Sequence, residues 1–436
     1  MDVNLPDRLS RATGKRAETH STGVLRLNLG DTRRVCPPDP ARRRDDERND
    51  NGEMDMIVRT TLMAATAVAL TAALAGPAIA AAPTASGGRH DATREAIEAA
   101  VKDGVPGVTA TAEDGRGVWS ATAGVGDLGT EKPRSPYDRY RVGSITKTFV
   151  ATVLLQLEAQ GRLSLDDKVD KWLPGLVHGN GHDGGRITVR QLLNHTSGIF
   201  NYTDDETFVR TYFLKDGFFK HRYDHRTPRD LVAIAMSHKP DFAPGTSWNY
   251  SNTNYALAAL VIEKVTGRPY GAEVRDRITA PLKLNATSVP GTRPTLPQPS
   301  SRAYGKLAET TTGPTYDVTE LNPSLAYGSG DMISNSTDLN RFYTALLRGD
   351  LLPARQLKAM KTTVRAEGFP NAGYGLGLID RKLSCGVHVW GHGGGIHGSS
   401  SEAVTTATGR HALAFNFNGD WAGDSDAVIE GEFCGK

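Results

Sequence analysis

The sequence predicts an α+β fold, in which an antiparallel sheet built from both ends of the chain is flanked by helices. Three observations predict it. Short alternating apolar runs occur between residues 108 and 123, a helical apolar period begins at Ser144, and strand-like runs return only after Leu346. Strands at both ends therefore enclose a mostly helical lobe, which we expect over roughly residues 160–345.

The first predicted elements are a helix and a hairpin. Residues 91–101 carry apolar side chains along one side of a helix. Residues 108–112 and 118–123 alternate as strands do, and the sequence Asp-Gly-Arg-Gly at 114–117 is typical of a turn between them.

Two apolar helices follow. The first begins at Ser144, and Gly161 is its predicted end. The second runs from about Tyr255 to Val265 and stops at Gly267. The apolar stripe of the first helix consists of Ile145, Phe149, Val150, Val153, Leu154 and Leu157.

The last predicted elements are strands. They cover residues 374–379, 387–390, 401–406 and 412–418, and residues 407–410 form a turn between the last two.

Residues 54–82 have the features of an export signal. Arg59 precedes an apolar run from Leu62 to Leu74, and small residues follow at 78–81. We expect cleavage near Ala80 to Ala82 and a secreted, extracellular protein without a stable membrane anchor, because the apolar run is shorter than the roughly 20 residues that span a bilayer. A retained anchor is the alternative.

The segments on either side of this signal are polar or rich in small residues. Residues 1–53 are rich in Arg, Asp and Pro, so we expect a disordered extension, or one that is not translated because synthesis starts at Met54 or Met56. A cytoplasmic tail is the alternative. Residues 83–90 read as a linker, and residues 91–436 as the folded domain.

The net charge indicates the kind of partner that the protein binds, and the cysteines indicate the compartment in which it works. The formal net charge of +2 is too small to favour nucleic acid, so the expected partner is a small molecule or peptide. Cys385 and Cys434 are the two cysteines beyond the signal, and such a pair in an exported protein predicts a disulfide worth about 4 kcal/mol. Two free buried thiols are the alternative.

The sequence Ser144-Ile145-Thr146-Lys147 opens the first apolar helix. This position places the serine at the positive helix end and Lys147 one turn later on the same face. A desolvated lysine can lose its proton and activate the serine as a nucleophile. Read alone, Ser144 could equally be a helix cap and Lys147 a surface charge.

Tyr250-Ser251-Asn252 precedes the second apolar helix. Tyr250 can act as a base only if a nearby cation favours its phenolate. The Asn252 amide can donate to a substrate carbonyl. Read alone, this segment is an ordinary start of a helix.

His392-Gly393-Gly394-Gly395 follows a predicted strand. Its glycines let a substrate backbone lie against the sheet, and Gly395 can donate its N–H. A lipase-type oxyanion loop would need a G-x-S-x-G elbow, which the sequence lacks. A metal site of His388, His392 and His397 would lack a carboxylate cluster, so we expect no metal and no cofactor.

Together, S-x-x-K, Y-x-N and H-x-G resemble the motifs of the penicillin-recognising serine hydrolases, the β-lactamase-related family. The resemblance covers roughly residue 90 to the C-terminus and implies a β-lactamase/transpeptidase-like fold. Several segments look like those of secreted bacterial D-alanyl-D-alanine carboxypeptidases. These are residues 142–149, 190–198, 250–255, 374–377, 383–386 and 433–436.

The resemblance also implies roles. Ser144 would be acylated, Lys147 and Tyr250 would share proton transfer, and Tyr250 would activate the deacylating water. The N–H groups of Ser144 and Gly395 would form the oxyanion hole, and His392 would supply positive charge or a hydrogen bond. Glu320 is an alternative, separate base.

Two departures from the carboxypeptidases bear on the substrate. Those enzymes hold the substrate's terminal carboxylate with a hydroxyl residue and an arginine, where this chain has Gly393 and Ile379. Arg381 lies on the same strand face and is the predicted replacement anchor.

The resemblance therefore implies an exported enzyme that works through an acyl-enzyme, first of all a D-alanyl-D-alanine carboxypeptidase acting on cell-wall peptides. The alternatives are an esterase, D-aminopeptidase or β-lactamase of the same fold, or a non-catalytic penicillin-binding protein. The implied partners are a small peptide or ester substrate and β-lactams as covalent inhibitors.

Overall fold

The structure, a computed structural model, describes residues 88–366 and 371–435. The predicted extension at 1–53, the export signal at 54–82 and most of the linker lie outside the described residues. The described residues all belong to one compact unit.

The main sheet has eight antiparallel strands in the order β2-β1-β14-β13-β12-β11-β10-β9, so the two ends of the domain meet in it as predicted. Three two-stranded ribbons pair β3 with β8, β4 with β5 and β6 with β7. The strands are β1 (Gly107–Asp114), β2 (Gly117–Gly124), β3 (Tyr140–Arg141), β4 (His178–Gly179), β5 (His182–Asp183), β6 (Tyr304–Gly305), β7 (Tyr316–Asp317), β8 (Ile333–Ser334), β9 (Val364–Arg365), β10 (Ala372–Tyr374), β11 (Ile379–Lys382), β12 (His388–Ile396), β13 (Ser399–Thr406) and β14 (Ala412–Phe417).

Helices cover both faces of the sheet, and most of them lie in the segment between β2 and β9. They are α1 (Asp91–Lys102), α2 (Thr146–Ala159), α3 (Val169–Trp172), α4 (Val189–Leu193), α5 (Glu206–Tyr212), α6 (Lys215–His221), α7 (Pro228–Met236), α8 (Asn252–Thr266), α9 (Tyr270–Val274), α10 (Ser336–Arg348), α11 (Ala354–Met360) and α12 (Ser425–Cys434). Within the described residues, no helix has both the length and the apolar character that a bilayer span requires.

Alternating side chains divide the core into two layers. Leu413 and Phe415 of β14 pack with Val428 of α12 on one face of the sheet. Ala414 of β14 and Trp390 of β12 pack on the other face, against the cluster that contains α2. Because β14 is covered on both faces, all its residues are buried, whereas the edge strand β2 is mostly exposed.

Helix α2 is buried almost all round, and this fixes the residues that precede it. Its side chains from Thr146 to Leu155, together with Leu157, are buried. Lys147 is among them with no exposed surface. The first apolar helix of the sequence is therefore central to the helical lobe, and Ser144 stands at its entrance.

Two strand predictions were wrong in their bounds. The segment 374–379 is not one strand, because β10 ends at Tyr374 and β11 begins at Ile379. Gly377 has a left-handed φ of +67°, and a side chain there would lie 2.9 Å from the Lys147 carbonyl oxygen, so a turn forms that packs on α2. Strand β12 extends beyond the predicted end at Trp390 to Ile396, because its three glycines continue to pair with β13.

A disulfide joins Cys385 to Cys434 across a sequence separation of 49 residues. It connects the turn between β11 and β12 to the end of α12. The same turn is held by Glu430, which accepts hydrogen bonds from the backbone and hydroxyl of Ser384.

Candidate active site

Ser144 lies in a 3₁₀ turn, Gly143–Ile145, that leads directly into α2. Gly143 has a left-handed φ of +52°, and a side chain there would lie 2.8 Å from the Gly395 nitrogen. A residue with a Cβ would be strained at this position and would push β12 away. The glycine therefore brings the Ser144 backbone against the glycine-rich strand and leaves the serine partly exposed.

Lys147 is hydrogen bonded to Ser144 in the buried interior. Its Nζ lies 3.0 Å from Ser144 Oγ, 2.7 Å from Asn252 Oδ1 and 2.8 Å from the Ser329 carbonyl oxygen. A neutral Lys147 amine has two N–H groups and one lone pair. The N–H groups can donate to Asn252 Oδ1 and the Ser329 carbonyl oxygen, and the lone pair can accept from the Ser144 hydroxyl. Burial holds the pKa of Lys147 well below its ordinary value, so the arrangement suits a lysine that accepts the serine proton.

Asp331 opposes this effect of burial on Lys147. Its negative charge favours protonated Lys147. Asp331 is itself buried, and burial raises its pKa to about 6. The Tyr270 hydroxyl lies 2.5 Å from both of its carboxylate oxygens. The charge of the Asp331 carboxyl therefore affects the pKa of Lys147.

Tyr250 shares a hydrogen bond with the Ser144 side chain, and Lys147 Nζ lies 4.7 Å from the centre of its ring. Burial raises the pKa of Tyr250 above its ordinary value, although the bond to Ser144 lowers it. The phenol therefore stays protonated near neutral pH and can donate a proton. The sequence had left open a phenolate base, and this environment instead favours Lys147 as the base.

His392 lies near these groups without a hydrogen bond to Ser144 or Lys147. Its Nδ1 is 2.5 Å from the Gly393 carbonyl oxygen, which requires that Nδ1 carry the proton. Its Nε2 then accepts from the Tyr374 hydroxyl at 2.9 Å. Burial lowers the pKa of His392 to about 3, so the structure favours the hydrogen-bonding role over the positive charge that was the other expectation.

His195 and Tyr374 were not singled out as site residues from the sequence. His195 Nδ1 accepts from the Ser251 backbone at 3.2 Å, so its Nε2 donates to the Tyr374 hydroxyl at 3.2 Å. A directed series of hydrogen bonds thus runs from His195 through Tyr374 to His392. Both residues fall in segments that resemble the family, but no chemical motif marks them.

The His195 ring also supports the tyrosine of the site. Its centre lies 4.3 Å from that of Tyr250. Burial lowers the pKa of His195 well below its ordinary value. The neutral imidazole therefore packs against Tyr250 without adding charge beside Lys147.

Asn252 and the glycines of β12 complete the cleft. The Asn252 amide nitrogen bonds the Thr203 hydroxyl at 3.2 Å, and one of its N–H groups remains for a substrate carbonyl. A side chain at Gly394 would collide with the Val142 carbonyl and lie 2.8 Å from the Ser144 nitrogen. The backbones of Ser144 and Gly395 are therefore close neighbours, as a shared oxyanion site requires.

The structure gives the predicted carboxylate anchor, Arg381, other partners. Its guanidinium donates to Asp426 at 2.8 Å and lies 3.8 Å from Glu402. Asp426 comes from α12, far along the chain, and no local pattern predicts this pairing. The charge of Arg381 is therefore compensated within the protein, and its expected role as the carboxylate anchor stays a prediction.

The remaining candidates from the sequence have separate partners. Glu320 accepts a hydrogen bond from Tyr223 at 2.9 Å. His388 bonds Asp380 at 2.9 Å, and His397 bonds the Tyr212 carbonyl oxygen at 2.7 Å. Among the described residues, the one group with the geometry of a metal site contains the two disulfide cysteines.

Comparisons with known proteins show which proteins the chain is similar to. The profile of one protein family, described as Beta-lactamase, matches residues 93–428. Penicillin-binding protein 4* of Bacillus subtilis (strain 168) is 28% identical over 326 residues, which are 72% of this chain and 68% of that protein.

Two solved structures are also similar. A D-stereospecific amidohydrolase from Streptomyces sp. has 63% sequence identity and a TM-score of 0.76, over 80% of this chain and 99% of that chain. A D-amino acid amidase from Ochrobactrum anthropi SV3, complexed with D-phenylalanine, has 27% identity and a TM-score of 0.69, over 80% of this chain and 99% of that chain.

Proposed function

The chain belongs to the Beta-lactamase family and is a serine hydrolase, and from that premise we propose that it hydrolyses amides of D-amino acids through an acyl-enzyme on Ser144. The observation that carries the chemistry is the hydrogen-bonded group of Ser144, Lys147 and Tyr250. The similarity to a D-stereospecific amidohydrolase at 63% identity supports the substrate class.

In the proposed first step, neutral Lys147 takes the Ser144 proton as Oγ attacks the amide carbonyl. The developing oxyanion accepts from the N–H groups of Ser144 and Gly395. The C–N bond then breaks as protonated Tyr250 donates its proton to the departing nitrogen. The resulting Tyr250 phenolate takes the proton that Lys147 received from Ser144, so Tyr250 is again protonated and Lys147 again neutral. Water attacks the ester in the second step, with Lys147 again as the base.

A D-alanyl-D-alanine carboxypeptidase, the first expectation from the sequence, receives less support. Such an enzyme needs a free positive charge for the substrate carboxylate, and Arg381 is paired with Asp426. The similarity to Penicillin-binding protein 4* keeps peptide substrates among the compounds to test.

The test compares D- and L-phenylalanine amide. We expect ammonia release from the D-amide to exceed that from the L-amide by at least about tenfold in kcat/KM, and Ser144→Ala to abolish both turnover and labelling by a fluorophosphonate. Tyr250→Phe should lower acylation by roughly 10² to 10⁴, because it removes a proton donor and keeps the ring.

Ser120→Ala, on the edge strand β2, is the matched control and should behave as the parent. Equal rates on the two enantiomers would overturn the substrate class. Labelling that survives Ser144→Ala would overturn the nucleophile.

A further inference from the structure

The second half of β12 has an open edge beside the catalytic serine. Strand β11 pairs with β12 only as far as Ile379 opposite Gly391, whereas β13 continues to pair up to Ile396. Residues 392–396 therefore have no strand on their other side among the described residues. Gly394 and Gly395 lie against the Ser144 turn, and Gly393 is the next, partly exposed residue along this edge.

The side chain of Glu402 fills the space above Gly393. The two residues are opposite each other in the β12–β13 register, so their side-chain positions point to the same face. A Cβ added at Gly393 would lie 2.9 Å from the Glu402 carboxyl carbon and 3.1 Å from its Oε2. The glycine therefore makes room for a carboxylate from the neighbouring strand.

This carboxylate is buried and incompletely paired. Glu402 is 8% exposed, and its Oε2 has no hydrogen-bond partner among the described residues. The nearest cation is Arg381 at 3.8 Å, and that guanidinium is already bonded to Asp426. Two carboxylates thus share one guanidinium. Burial raises the pKa of Glu402, so alkaline solution favours its negative charge beside Gly393.

The position of this charge bears on the substrate. Residues 379 and 393 are where the carboxypeptidases that this chain resembles hold a terminal carboxylate. Here Glu402 occupies the space above Gly393, and position 379, opposite Gly391 in the β11–β12 register, is an apolar isoleucine. A substrate carboxylate at this place would face a like charge in a poorly solvated position, which is strongly unfavourable.

We propose that Glu402 is a specificity-determining residue that excludes substrates whose leaving group carries a carboxylate. The accepted leaving groups are neutral or basic: ammonia from primary amides, alcohols from esters, and amines without a free carboxylate. This inference rests on the proposed function and deepens it, since it separates an amidohydrolase from a carboxypeptidase by one side chain.

The experiment uses acetyl-D-alanyl-D-alanine and its C-terminal amide. It follows cleavage of the same internal peptide bond, which releases D-alanine from the acid and D-alaninamide from the amide; ammonia release is not counted. At pH 8, the parent is expected to prefer the amide by at least about tenfold in kcat/KM. Glu402→Gln keeps the shape and removes the charge, and it should shift the acid-to-amide ratio toward the acid by about tenfold or more. Glu98→Gln, an exposed position on α1, loses the same charge and should keep the parent's ratio.

The ratio separates specificity from a structural effect, because a loosened site would slow both compounds together. An acid-to-amide ratio that is the same in the parent and in Glu402→Gln would overturn the proposal. If Glu402→Gln does not fold, the acid-to-amide ratio of the parent protein is the test. A parent that prefers the acid contradicts the proposal, and a parent that prefers the amide by tenfold supports it.

A second pair of probes keeps this inference separable from the proposed function. Benzylpenicillin and its methyl ester differ by one carboxylate, and acylation of Ser144 by each can be followed by mass measurement without any turnover. If the parent protein does not hydrolyse D-phenylalanine amide, only the proposed function is overturned. Parent protein that is acylated by the acid at least as fast as by the ester would overturn the role of Glu402 alone.

Discussion

At the scale of single residues, Lys147 controls how the site responds to pH. Burial favours its neutral form, and Asp331 favours its protonated form. Since only neutral Lys147 can take the Ser144 proton, the rate of acylation should fall as the pH drops through the lysine pKa. The position of that acidic limb therefore depends on the charge of Asp331.

Asp331→Asn is expected to move the acidic limb of acylation to lower pH. The substitution removes the charge that stabilises protonated Lys147, so the pKa of the lysine falls further and the neutral base persists in more acidic solution. The measurement is the rate of acylation by a nitrophenyl ester between pH 5 and 9.

Asp420→Asn is the matched control for this shift. Asp420 is half-buried, and burial raises its pKa to about 6 as well. Its carboxylate accepts from the Gly398 backbone at 2.7 Å, and its charge is not among those that shift the pKa of Lys147. A limb that moves equally in both variants would show that Asp331 has no specific effect on the lysine.

At the scale of elements, the disulfide joins the β11–β12 turn to the end of α12. The double substitution of Cys385→Ser and Cys434→Ser should lower the free energy of unfolding by about 2 to 5 kcal/mol, because the unfolded chain gains freedom when this loop is opened. Denaturant unfolding measures the change, and hydrolysis of D-phenylalanine amide well below the melting temperature should stay near the parent value.

The retained bond between Glu430 and Ser384 supports that expectation, since it holds the same turn without the disulfide. Activity that falls while the free energy of unfolding is unchanged would instead mean that the disulfide positions β12 for catalysis.

The elements also show which features a sequence pattern can predict. Helix α2 and strands β13 and β14 follow directly from their apolar periods, and Ser144 and Lys147 follow from their place at the start of α2. The end of β12 could not be predicted, because Gly393, Gly394 and Gly395 carry no side chains to form a pattern. Its pairing with β13 extends the strand through them.

Contacts between residues far apart in the sequence also limit how much of the site can be predicted. Asp426 reaches Arg381 from α12, and Glu402 reaches Gly393 from the neighbouring strand. Tyr374 and His195 meet between two segments that are 179 residues apart. Each of these contacts depends on the folded chain and not on local sequence, so the partners of Arg381 could not be predicted.

At the scale of the whole molecule, export remains a prediction that can be tested directly. A chain expressed in a secreting bacterium should be cleaved so that the mature protein begins near Ala81 to Pro83. This leaves every described element in place because they begin at α1. N-terminal sequencing of the secreted protein measures the cleavage site. Val68→Asp interrupts the apolar run and should keep the protein inside the cell.

Two outcomes would contradict the predicted cleaved signal: a secreted protein whose N-terminus still contains Cys36, or equal secretion of the Val68→Asp variant. Either result would mean that residues 54–82 do not act as a cleaved signal.

The pairing of β1 with β14 sets the order in which this molecule can fold. Val108 of β1 lies opposite Phe417 of β14, so the first strand of the sheet cannot acquire its central partner until almost the whole chain has been synthesised. Contacts of such long sequence separation form slowly, because a large loop must close before they stabilise anything. The main sheet of a nascent chain therefore stays incomplete until translation is almost finished, as the predicted export of an unfolded chain would need.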